Sequence, residues 1–85
     1  MANVKYVSSV TEIPSGTNYV LVKYDKENGL TRHDRGLTMT IDGSQDANLR
    51  EAHTATAIGE AQVIADQEHI DSVFVCIPGH EKQPI

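Results

Sequence analysis

From Leu37 to Asp46 the chain reads Leu37-Thr38-Met39-Thr40-Ile41-Asp42-Gly43-Ser44-Gln45-Asp46, and its hydrophobic period changes across that stretch. Leu37, Met39 and Ile41 alternate with threonines, the period of a strand with one buried face. Asp42-Gly43-Ser44 then breaks the alternation with turn residues. Beyond Asp46, the residues Thr54, Ala57, Ile58, Ala61, Ile64 and Ala65 recur at the spacing of one helix face. A helix is expected between Asp46 and Glu68, its start open between Asp46 and Thr56. Asn48 with Glu51 three residues later matches a capping box and places that start near Leu49. Small residues along the stripe suit close packing on a sheet, whereas Gly59 in the interior costs about 1 kcal/mol against alanine.

Downstream, Ile70 to Ile77 reads as the last strand, with Phe74 and Cys76 on one face and Val73, Val75 and Ile77 on the other. Upstream, Tyr19 to Tyr24 is a strand with apolar side chains on both parities. Asp25-Lys26-Glu27-Asn28-Gly29 ends it, and Asn-Gly is a strong hairpin signal. Leu30 to Arg32 is therefore expected to return antiparallel to Tyr19–Tyr24. His33-Asp34-Arg35-Gly36 reads as a second turn or as a bulge within one long strand. Val4 to Val10 reads as the first strand, and Thr11–Asn18 collects the turn residues Pro14, Ser15, Gly16, Thr17 and Asn18. The order β-β-β-α-β describes an α+β domain: one mostly antiparallel sheet packed on one face by a single helix. It should occupy residues 1–78, leaving the polar 79–85 as a flexible tail.

Eighty-five residues make one domain, and 39% hydrophobic with 22% charged residues is the balance of a soluble globular chain. Seven Lys and Arg against twelve Asp and Glu give a net charge of -5, which argues against direct nucleic-acid binding. The N-terminus lacks a signal-peptide pattern, and no apolar run approaches the roughly 20 residues of a membrane span. One cysteine, Cys76, excludes an internal disulfide, so a reducing cytoplasm is the expected setting.

Chemistry-bearing patterns are sparse. Cys76 and His80 flank a Pro-Gly turn, and neither a CxxC nor an HxxxH pair occurs, so no metal site is expected. Asp42 to Asn48 resembles the front of a calcium loop, but Ala47 stands where glycine is needed and His53 where the closing glutamate belongs. No phosphate loop or dinucleotide fingerprint is present, and no cofactor is expected. His53 and Glu60, seven residues apart, can share a helix face as an acid–base pair. Against that stands the ordinary reading of both as solvated helix residues.

The unexplained feature is a pair of strands apolar on both faces beside a single helix. Such strands need a layer on each side. Residues Thr11–Asn18 and the tail can supply one; so can the N-terminal strand folded across, a second copy or another protein. The expectation drawn is an exposed sheet face at Val20, Val22, Val73 and Val75, rimmed by Arg32, His33, Asp34 and Arg35. It implies a non-enzymatic interaction module, a small acidic accessory or inhibitory protein of bacterial or phage type, binding a protein partner and forming a homodimer. Two alternatives stand beside it. In one, His33 and Arg35, with His53, hold a nucleotide-like anion in a dimer cleft, as a binding protein or an enzyme. In the other, an acidic chain mimics nucleic acid, although its acids are dispersed rather than clustered.

Overall fold

In the computed structural model, which describes residues 2–77, the change of period after Asp42 separates a strand from the helix. The strands are β1 (Asn3–Tyr6), β2 (Tyr19–Asp25), β3 (Gly29–His33), β4 (Gly36–Asp42) and β5 (Ser72–Cys76), and the helix is α1 (Ala47–Gln67). They form an α+β fold with one five-stranded sheet in the order β1-β5-β2-β4-β3. The tail at 79–85 lies outside the described residues.

The sheet is mixed, and mostly parallel where antiparallel pairing was expected: β1 with β5, β5 with β2, and β2 with β4 all run parallel. Only β3 and β4 pair antiparallel. The reason lies in Asn28. Its Oδ1 accepts the Asp42 N–H at 2.8 Å, and the carbonyl of Glu27 accepts the Thr40 hydroxyl at 3.0 Å. These bonds hold the connection across the end of β4, so Asn28-Gly29 makes no hairpin between β2 and β3. The hairpin joins β3 to β4 through Asp34-Arg35, and β4 slots between β2 and β3. The order is accordingly β-β-β-β-α-β.

Gly36 makes this arrangement possible. Its φ of +141° is a region that L side chains rarely adopt, and a Cβ there would stand 2.1 Å from the Tyr19 carbonyl oxygen.

The helix starts two residues earlier than the capping box suggests. Asp46 is the N-cap, its Oδ1 accepting from the N–H groups of Asn48 at 3.0 Å and Leu49 at 3.2 Å. The helix buries Thr54, Ala57, Ala61 and Ala65, with Ile58 and Ile64 packed alongside, which is the expected stripe. Thr54 donates to the Arg50 carbonyl at 2.6 Å, so the Tyr24 hydroxyl at 3.2 Å acts as donor to Thr54 and ties helix to sheet. His69, in left-handed conformation at φ 58°, and Ile70, donating to the Ala65 carbonyl, close the C-terminus.

Both faces of the central strands are covered from within the chain. On one, α1 covers Val20, Val22, Val73 and Val75, together with Leu37, Met39 and Ile41. On the other, Tyr19, Leu21 and Phe74 are buried with Val7 and Ile13, which come from the irregular segment between β1 and β2. The first strand ends at Tyr6 rather than Val10. Val10 opens a 3-10 turn, Val10–Glu12, capped by Ser9, whose hydroxyl accepts the Thr11 N–H, while Glu12 accepts the Ser8 N–H.

Candidate interaction surface

The structure separates the residues that the sequence grouped. Val20, Val22, Val73 and Val75 are each 0% exposed beneath α1 and offer no surface to a partner. The apolar second face of β2 and β5 is closed as well, by Val7 and Ile13. Strands apolar on both parities mark the interior here, because the chain supplies two layers of its own.

The polar quartet does not converge. Leu30 pairs with Met39 and Arg32 with Leu37, so both side chains leave β3 on the helix side. Arg32 forms a two-pronged bond with Glu68 just past the helix, Nη1 to Oε1 at 2.9 Å and Nη2 to Oε2 at 3.2 Å. The guanidinium holds the Glu68 carboxyl below its ordinary range, first by hydrogen bonding and then by charge, and the Arg32 pKa is raised in return. His33 leaves on the other face, its ring centroid 5.3 Å from that of Tyr19. Its Nδ1 accepts the Arg35 N–H at 3.2 Å, and its Nε2 is buried without a partner among the described residues.

Asp34 sits exposed at the tip of the turn. Arg35 reaches back over the Tyr19 ring, its Cζ 5.1 Å from the centroid, and donates to the carbonyls of Thr17 at 3.2 Å and Pro14 at 2.5 Å. Its guanidinium is a latch on the irregular segment, which leaves the anion-binding idea without its main cation.

The oxygen-rich stretch after β4 is also used locally. Asp42 accepts from the Ser44 N–H at 2.9 Å and hydroxyl at 2.6 Å, bonds that lower its pKa, while Asp46 serves as the cap. Among the described residues no group of three or more His, Cys, Asp and Glu is placed to hold a metal ion. No helix among them is long and apolar enough to cross a membrane.

The sequence reading missed the open side of the sheet. The helix packs on β2, β4 and β5. Beside it β3 forms the edge, with four of its five residues exposed. Between α1 and the β3–β4 hairpin runs a groove of about 470 Å³, lined by Leu30, Met39, Ile41, His53, Glu60 and Ile64. Leu30 is 52% exposed at its lip. The only signal in the sequence was a single leucine in an otherwise polar strand. Compared with protein-family models, curated proteins and solved structures, the chain has no significant match.

Proposed function

We propose that the protein is a non-enzymatic interaction module, an accessory or inhibitory subunit, that takes a protein partner along the free edge of β3. The observation that carries this reading is the edge itself: an exposed strand beside an apolar groove. In an antiparallel ladder, alternate residues point their N–H and C=O groups away from the neighbouring strand. Those groups on β3 are available to an extended segment from a partner. Main-chain bonds then supply affinity, and side chains entering the groove supply selectivity. A second copy of the chain is one such partner.

The test is a selection of random peptides on the immobilised protein, followed by an amide-shift map of the best binder. Shifts confined to residues 28–33 and the groove side of α1 support edge addition. Shifts centred on the Val7–Asn18 segment or on β1 contradict it.

A further inference from the structure

The latch at Arg35 rests on an uncharged imidazole. Tyr19 and His33 are the strand neighbours of Gly36 on its two sides, so their rings meet over a position with no side chain. The Nδ1 of His33 accepts the Arg35 N–H, which leaves the ring proton on Nε2, a buried atom with no acceptor among the described residues. A second proton can enter only at Nδ1, against the N–H that its lone pair now receives. Neither N–H of the resulting imidazolium then has an acceptor, and burying a charge in that state is costly.

No opposite charge offsets that cost. Tyr19 faces the ring from β2, Thr31 and Thr38 share its side of the sheet on β3 and β4, and Arg35 faces it from the turn. Of these only Arg35 is charged, and its Cζ stands 5.1 Å from the centroid of the same Tyr19 ring, so a protonated His33 meets a like charge. Asp34, next in the chain, and Glu12, in the irregular segment, form no ion pair with His33 among the described residues.

We propose that His33 makes the second layer sensitive to pH: the neutral ring holds the Arg35 backbone so that its guanidinium clasps the Pro14 and Thr17 carbonyls, and the protonated ring releases both. A chain with the latch open takes up the proton without that conflict. The closed form therefore loses stability as pH falls through the range where histidine ordinarily charges, about 6.5. Asp42 and Glu68 stay outside this window, because their hydrogen bonds hold them below the usual carboxylate range. What acid loosens is the cover over Tyr19, Leu21 and Phe74, an apolar face separate from the β3 edge.

The experiment is amide exchange followed by NMR on the unmodified protein at pH 7.5 and 5.5, each rate divided by its intrinsic value. The Arg35 amide and the Thr17 amide, which donates to the Pro14 carbonyl, should lose protection at least about threefold at the lower pH, while the amides of α1 hold theirs. His33→Phe keeps a ring against Tyr19 and cannot be protonated, so its protection should be the same at both pH values. His33→Gln takes its place if the Phe variant does not fold. The double variant His53→Gln, His69→Asn should respond as the parent does, since these histidines lie on and just beyond the helix. Unchanged protection in the parent, a response that survives in His33→Phe, or one that vanishes with His53 and His69 would each overturn the proposal.

Discussion

Strands β2 and β3 are separated by β4 alone, yet they live in opposite environments. The first four residues of β2 are buried, closed by α1 on one side and by Val7 and Ile13 on the other. Four of the five residues of β3 are exposed, and its main tie to the helix is the Arg32–Glu68 ion pair. The difference teaches where an interaction surface should be sought in a domain this small. Strands apolar on both parities recruit two layers, and a 21-residue helix with an irregular dozen residues is enough to provide them. The strand left over is the polar one, and a single leucine marks its open side.

The largest effect should come where β4 meets β2. Gly36→Ala drives a methyl group into the Tyr19 carbonyl and demands a φ that alanine resists. The expected cost is about 3 kcal/mol or more, a large part of the total stability of a domain this size. Thermal melts followed by circular dichroism should show the variant largely unfolded. A melting temperature within a few degrees of the parent would mean that β4 does not pass so close to Tyr19.

Next is the second layer. Ile13→Ala leaves a cavity beneath an irregular segment and should cost about 2–4 kcal/mol, as in a regular core. Chemical denaturation measures it; a change under about 0.5 kcal/mol would make β2 as open on that face as β3 and erase the contrast.

Arg35→Ala releases the carbonyls of Pro14 and Thr17 and the contact over Tyr19. A loss of about 1–2 kcal/mol is expected, with faster amide exchange across residues 14–18. Were exchange to quicken only at the β3–β4 turn, the latch would have no part in holding the second layer.

The smallest effect belongs to the ion pair of β3. Because Arg32 depresses the Glu68 pKa below its usual 4.5, the pair stabilises the fold above that value and loses its contribution as pH falls through the lower folded value. Glu68→Gln should lower the neutral plateau slightly, since both side chains face solvent, and converge with the parent in acid, so that the acid limb below about 4.5 is flatter by the same small amount. An unchanged acid limb would show that the pair is not formed in solution.

The α+β class, the helix stripe and the two faces of β5 were legible because each rests on a period carried by five or more residues. Strand pairing was not. Asn28-Gly29 has the chemistry of a hairpin turn, but the Asn28 side chain bonds the Asp42 N–H and carries the chain past β4 instead. That bond depends on a strand not yet placed when the sequence is read locally. The second layer was half legible: Thr11–Asn18 stands as one possible cover and Ile13 provides it, but Val7 reads into the first strand, and the two are isolated apolar residues that form no period. His33, Asp34 and Arg35 looked like one cluster because they are adjacent, yet Arg32 and His33 leave opposite faces and Arg35 turns inward to Tyr19. Consequently, the candidate surface moved from a sheet face to a sheet edge.

Residue-resolved amide exchange in dilute protein tests the contrast most directly. The outward amides at alternate positions of β3 should exchange at least about 100-fold faster than those of β2 and β5. Uniformly protected β3 amides in dilute protein, or β2 amides exchanging as fast as those of β3, would contradict an open edge beside a closed centre.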